Sequence, residues 1–169
     1  MKVLLDEMGI NRALTRVAHE IIEKNKGVDD IILVGLKTRG VFLAERIRQK
    51  IAEIEGVDLP CFTLDTRPFR DDNKQELKKE KSFDSEIGGK TIIIVDDVMY
   101  TGRTLRAAID AVFYHGRPGK IQVAALIDRG HRELPFKPDY IGKNIPTASD
   151  EKVAVRVTEV DGEDIVIIN

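Results

Sequence analysis

The sequence predicts an α/β fold: a central parallel sheet with flanking helices and a C-terminal hairpin. Three observations point there. The run Ile92-Ile93-Ile94-Val95 is unbroken, β-branched and apolar, as a strand covered on both faces should be. Runs of that kind alternate with amphipathic helical stretches, which is the pattern of parallel βαβ units. The 169 residues hold no repeat and no low-complexity linker, so one domain, residues 1–169, is expected.

The elements follow in order. Residues 6–25 read as a first helix, with Asp6 as its N-cap and Gly27 as its stop. Residues 30–36 read as a buried strand, 40–55 as a helix ended by Gly56, and 57–64 as a strand. Residues 65–90 are polar and densely charged. A loop of that length in a compact domain is functional or disordered. Strand 91–95 and helix 104–115 come next, the helix carrying Leu105, Ala108, Ile109 and Val112 on one stripe. A Gly116-Arg117-Pro118-Gly119 turn leads to strand 121–127. Residues 153–160 and 165–168 read as a hairpin around Asp161-Gly162.

Composition bounds the function. A hydrophobic content of 42% and a charged content of 33% fit a globular protein. The net charge of −2 leaves no global electrostatic attraction for nucleic acid, so an RNA site must be a local patch. The lone Cys61 cannot form an internal disulfide, which suits a reducing cytosol, and it reads as a small core residue. Acidic Asp6 and the absence of a long apolar run exclude a signal peptide and a membrane-spanning helix, so a cytoplasmic location and no membrane partner are expected.

The stretch Thr91 to Thr104 carries the chemistry. A buried strand ends in Asp96-Asp97, and Val98-Met99-Tyr100-Thr101-Gly102-Arg103-Thr104 turns into a helix. A helix N-terminus offers free N–H groups and a positive dipole end, which together seat a phosphate. Two carboxylates before it suit vicinal sugar hydroxyls, or a magnesium ion bridging them. The loop has neither the Walker spacing nor GxGxxG. Asp96 as a plain N-cap and Asp97 as a solvated loop residue would explain either acid alone, and explain the whole set poorly. Ribose and 5′-phosphate in one motif imply a ribose-phosphate substrate. The motif resembles the phosphoribosyl-diphosphate (PRPP) binding motif of type I phosphoribosyltransferases.

Ligands of parallel sheets sit at the C-terminal strand ends, which gathers the loops after residues 36, 65, 97 and 128. Lys37, Thr38 and Arg39 could hold a pyrophosphate there, or form only a basic turn. Residues 66–73 read as a lid that excludes water from a reactive ribosyl cation, with Arg70 stabilising the departing pyrophosphate. The rest of the 66–90 loop reads as hinge or mobile connection.

Three further stretches, 33–43, 91–112 and 126–147, together with Leu14 to Glu20, resemble the bifunctional pyrimidine-operon attenuator and uracil phosphoribosyltransferase family (PyrR) over nearly the whole chain. The resemblance implies the type I phosphoribosyltransferase fold, with a small hood that includes the C-terminal hairpin. It implies conversion of uracil and PRPP to UMP with Mg²⁺, with Asp96 and Asp97 at the ribose and metal. It also implies base contacts from the backbone of Asn144-Ile145-Pro146, and a homodimer or larger homo-oligomer. Finally, it implies binding of an mRNA leader hairpin of a pyrimidine operon, controlled by UMP or UTP. Some residues depart from the family pattern: Arg67 and Pro68 stand where uncharged, non-proline residues are usual, Phe69 replaces a Tyr, and Lys137 an Arg.

The RNA set expected from matched positions is Thr15, Arg16, His19, His131, Arg132, Lys137 and Lys143. On a helical wheel Arg12, Thr15, Arg16, His19 and Glu23 share one face, opposite Leu14, Val17, Ala18, Ile21 and Ile22. A charged helix face is ordinarily only solvated surface. Neither His19 nor His131 has a partner at metal spacing, which excludes zinc. Aromatics at 5% with no Trp argue against a stacking platform for single strands. Two other functions compete: a purine-type phosphoribosyltransferase without RNA binding, and an RNA regulator that has lost catalysis.

Overall fold

The apolar runs form strands where the pattern predicts them, and two short strands join that it does not. A computed structural model describes residues 1–72, 78–81, 83 and 86–169. The order is β1 (Lys2–Leu5), α1 (Glu7–Lys24), β2 (Ile31–Leu36), α2 (Arg39–Glu55), β3 (Cys61–Leu64), β4 (Thr91–Met99), α3 (Arg103–His115), β5 (Lys120–Asp128), β6 (Tyr140–Asn144), β7 (Val153–Arg156), α4 (Thr158–Asp161) and β8 (Ile165–Ile168).

Strands β3-β2-β4-β5-β6 make a five-stranded sheet in that spatial order, all neighbours parallel. Every residue of β2 is buried. Alternation along β4 divides its side chains between two cores. Ile93 and Val95 join Leu33 under Val17 of α1 and Leu43 and Ile47 of α2. Ile92 and Ile94 join Val34 under Leu105, Ala108 and Val112 of α3. Helices thus cover both faces, as the unbroken apolar runs require.

The hood is a separate antiparallel sheet, β1-β8-β7. The predicted hairpin exists, with one correction. The strand ends at Arg156, and Thr158–Asp161 form a turn of helix closed by Gly162 at φ 78°. Val157 and Val160 bracket this turn through the bond from the Val160 N–H to the Val157 carbonyl (3.0 Å), so the chain bends before the predicted strand is complete. Val155, Val157 and Val166 feed the core shared with α1 and α2.

The strand predicted at 57–64 shortens to Cys61–Leu64. Within the 66–90 lid stretch, Arg67–Phe69 form one 3-10 turn and Phe69 is buried, edge-on to Tyr114 at 5.6 Å. Phe83 stacks between Phe62 (4.7 Å) and His115 (4.1 Å). Residues 73–77, 82, 84 and 85 of that stretch lie outside the described residues. Among the described residues no helix is long and apolar enough to cross a membrane.

Candidate active site

From β2 the chain moves outward to β3, then returns to the other side of β2 as β4 and continues to β5 and β6. The strand order therefore reverses between β2 and β4, and a crevice opens there at the C-terminal ends. Gly40, in the first turn of α2, packs directly on β4. A Cβ there would stand 2.5 Å from the Val95 carbonyl oxygen and 3.3 Å from Asp96 Cα. That contact brings the N-terminus of α2 to the side of Asp96.

The helix starts differ in a telling way. At α1, far from the crevice, the Asp6 side chain accepts from the Gly9 N–H (2.8 Å), and Glu7 sits in the first turn. At α2 no side chain caps the helix, at α3 only Thr101 Oγ1 accepts from the Arg103 N–H (3.3 Å), and neither first turn contains an acid. These two helices begin at the switch point. Each leaves a positive dipole end available to an anion, with carboxylates between them.

Those carboxylates lie within the strand rather than after it. β4 continues to Met99, with Asp96 beside Ala125 and Val98 beside Ile127 of β5. Asp96 Oδ1 accepts from the Asp97 N–H (2.9 Å), and Asp97 Oδ1 from the Val98 N–H (2.7 Å). Asp96 is partly buried. That burial, with the neighbouring Asp97 charge, pushes its pKa well above the usual carboxylate range.

Lys37 and Thr38 join through a cis peptide bond, and the Lys37 N–H donates to the Leu64 carbonyl (3.1 Å). Arg39 is engaged: its Nε and Nη2 donate to Asp161 of the hood (3.1 and 2.8 Å), which raises its pKa further. The predicted pyrophosphate loop is thus also a tie between sheet and hood. A cavity of about 420 Å³ beside it is lined by Lys37, Thr63, Asp65, Pro68 and Lys78.

The loop to α3 is fixed by its own carbonyls. The Met99 carbonyl accepts from the Arg129 N–H (3.1 Å), and the Thr101 carbonyl from Glu133 (2.8 Å) and Leu134 (3.2 Å). Gly102 caps α3 at φ 95°, a conformation other residues enter with strain. Arg70 reaches this loop, donating to Thr104 Oγ1 (2.6 Å) and to Asp72. Arg103 bridges Glu133 (3.0 Å) and Asp71 (2.8 Å). The start of the predicted lid and the loop from Met99 to Thr104 are therefore in contact. Val98 and Tyr100 complete the set brought to this edge.

A second cavity, about 450 Å³, opens beside Met99 and Asp128 and is lined by His131, Arg132, Phe136 and Lys137. Ile145 is buried, its N–H donating to the carbonyl of Asp128, one of the residues at that cavity (2.9 Å). That bond occupies the Ile145 N–H, and Pro146 has no N–H to offer.

The structure divides the expected RNA set. Thr15, Arg16, His19 and Lys143 lie on the flank where α1 meets β6. Arg16 donates to the Ile141 carbonyl (3.1 Å), the Gly142 carbonyl and Glu20 (2.8 Å), so much of its capacity serves the fold. Exposed His131, Arg132 and Lys137 lie instead at the crevice. Arg129 is missing from the residues expected at the site, yet it is 8% exposed and its guanidinium lies 4.0 Å from the Tyr100 ring centre. A cation one residue past a buried strand at this edge is the signal that was available.

Known proteins share this arrangement. The phosphoribosyl transferase domain family matches residues 2–163. Hypoxanthine phosphoribosyltransferase of Trypanosoma cruzi superposes with a TM-score of 0.75 at 19% identity, covering 99% of this chain and 95% of that one. A hypoxanthine-guanine phosphoribosyltransferase of Bacillus anthracis gives 0.76 at 21%, covering 98% and 96%. At that identity they establish the fold alone. The bifunctional protein PyrR of Lactococcus lactis is 53% identical over 167 residues, 99% of this chain and 96% of its own. That of Fusobacterium nucleatum is 54% identical over 172 residues, 99% and 97%. With the strand order, the crevice and these relatives in agreement, the chain belongs to the phosphoribosyl transferase domain family, among the bifunctional PyrR proteins.

Proposed function

We propose that the protein transfers the phosphoribosyl group of PRPP to uracil, giving UMP and pyrophosphate, and that its uridine-nucleotide form binds a leader hairpin of pyrimidine-operon mRNA. The observation that carries the enzymatic part is the pair of helix N-termini, neither with an acid in its first turn, on either side of Asp96-Asp97. One anion seat suits a 5′-phosphate, the other a diphosphate, and the carboxylates between them suit a ribose. The resemblance adds a cytosolic homodimer or larger homo-oligomer.

Among the described residues no group of three or more His, Cys, Asp or Glu is placed to hold a metal. The donor set fits Mg²⁺ nevertheless, because that ion is commonly held by one or two carboxylates plus substrate phosphates. Asp96 and Asp97 would hold it, and when bound it neutralises charge on the diphosphate. The chain's own groups do the rest. Thr101, Gly102 and Thr104 bind the 5′-phosphate, and Lys37, Thr38 and Arg39 the diphosphate. Asp97 orients the ribose hydroxyls. Arg70 stabilises the leaving group while the lid excludes water. The C1–O bond to diphosphate breaks, uracil N1 bonds to C1, and the N1 proton passes to the released diphosphate. The Ile145 carbonyl accepts from the uracil N3–H.

Turnover of uracil, hypoxanthine and guanine with PRPP tests this reading. Uracil should be the preferred base, and Asp97→Asn should lower kcat by about 10²-fold, the scale of losing one transition-state contact. Preference for a purine, or full activity in that variant, would overturn it. For RNA, Lys143→Ala removes an exposed cation whose Nζ lies 3.4 Å from the Leu4 carbonyl. Hairpin affinity at fixed salt should fall about tenfold, with a shallower salt slope and unchanged turnover. Unchanged affinity would remove the α1–β6 flank from the RNA surface.

A further inference from the structure

Arg129 follows β5 directly and joins the loop at Met99 and Tyr100 to the stretch from Thr147 to Glu151. Its N–H donates to the Met99 carbonyl (3.1 Å) at the start of the phosphate loop. Its Nε donates to Thr147 Oγ1 (3.1 Å), and its Nη2 to the carbonyls of Glu151 (2.6 Å) and Ala148 (3.4 Å). Its own carbonyl accepts from Thr147 Oγ1 (3.1 Å). The guanidinium lies over the Tyr100 ring, 4.0 Å from its centre, and forms no salt bridge among the described residues. Buried charge held by two carbonyls, a hydroxyl and a ring face, with no carboxylate, depends on all of them staying in place.

His131 belongs to the same knot. It adopts φ 65°, which is uncommon for a residue with a side chain. Its ring makes two contacts: Nε2 is hydrogen-bonded to the Thr147 carbonyl, and the ring stands edge-on to Tyr100 at 5.7 Å. Tyr100 therefore has Arg129 on its face and His131 at 71° to it, and it precedes Thr101, the first residue of the 5′-phosphate seat. Arg132, exposed and next in the chain, is aimed by whatever backbone conformation His131 holds.

We propose that Arg129 is a positioning residue that couples the nucleotide site to the RNA-contacting segment 131–132 through Tyr100. The inference rests on the functional reading above and names how its regulation is built. A phosphate in the seat fixes Tyr100; the ring fixes Arg129 and His131; and His131 presents Arg132. Since linkage is reciprocal, the hairpin strengthens UMP binding by the same factor as UMP strengthens hairpin binding.

The test measures affinity of the full-length protein for a pyrimidine-leader hairpin with and without UMP, and for UMP with and without hairpin, at fixed salt. The wild type should show a coupling factor in the common range of about 5 to 150. Arg129→Met should bring it to about 1, and Arg129→Lys should lose most of it, because an ammonium cannot fork between these carbonyls while stacking on a ring. Tyr100→Phe keeps the ring and should retain the coupling; Tyr100→Leu should lose it. A purely structural role would lower both affinities together and leave their ratio unchanged. Coupling intact in Arg129→Met overturns the inference alone, whereas a wild type without coupling overturns the regulatory reading as well. If Arg129→Met does not fold, the two Tyr100 variants decide, and equal coupling in both rejects the proposal.

Discussion

Asp96 continues a strand of four buried apolar residues, and its carboxyl is the one group there that gains by holding a proton. Burial is the larger cause and the Asp97 charge the next. In the folded protein the pKa is raised, so the folded state binds more protons than the unfolded state once pH exceeds the ordinary value of 3.8. Stability then falls as pH rises from that point through the folded pKa. Asp96→Asn keeps an oxygen for the Asp97 N–H and removes the titration. The variant should have a higher Tm than wild type at pH 7, no gain at pH 3.5, and reduced turnover; each kcal/mol gained appears as about 2–4 °C. Equal Tm values at pH 7 would mean that the buried charge carries no penalty. Cys61 gives a second residue-scale expectation. Burial, then Glu45, pushes its thiol up to about 12, so iodoacetamide should label the native protein at pH 8 far more slowly than the urea-unfolded chain.

At the scale of elements, an alanine introduced at two helix starts should have different effects. Asp6→Ala removes a true cap and should cost about 1 kcal/mol with turnover unchanged. Gly40→Ala puts a methyl into the Val95 carbonyl and must push α2 away from β4, a strain of about 1–3 kcal/mol. It should also raise the KM for PRPP, since it moves one anion seat relative to Asp96; an unchanged KM would mean that the α2 N-terminus binds no part of the substrate. The long elements were legible because each carried its own period: α1 buries Leu14, Val17, Ala18 and Ile21, the face the wheel assigned. β1 and β6 were not. Lys2–Leu5 is four residues long and is a strand only because it pairs with Ile167 and Ile168 at the far end of the chain. Tyr140–Asn144 holds a glycine and two polar residues, and gains its strand from pairing with buried β5. Nothing local encodes either partner. The site was legible for a related reason. Its motifs lie in contiguous loops, whereas Asp161 and Arg129 matter through contacts with residues far away in sequence, Arg39 for the one and Met99 and Glu151 for the other.

The whole molecule is two sheets held together partly by charge. Arg46 of α2 binds Asp164 through both terminal nitrogens (2.8 Å each) and also Glu159, while Arg39 binds Asp161. All three carboxylates belong to the hood, and each has its pKa lowered, chiefly by the arginine bond. The sign is opposite to that of Asp96. The unfolded state binds more protons, so these ties contribute fully above the ordinary values of 3.8 and 4.5 and are lost as pH falls through the lower folded values. Asp96 slopes the other way over the neighbouring range, so the comparison belongs in the Asp96→Asn background. There, Arg46→Met should lower Tm at pH 7 by about 2–4 °C, the effect of roughly 1 kcal/mol from partly solvated pairs. The deficit should shrink as pH falls from 5 toward 3, because acid dissolves in the parent the ties the variant already lacks. Hydrogen exchange locates the effect: amides of β7 and β8 should lose protection before those of β2 and β4. Uniform loss across both sheets would mean that hood and sheet unfold as one unit, and that the arginine ties set stability without setting the order of opening.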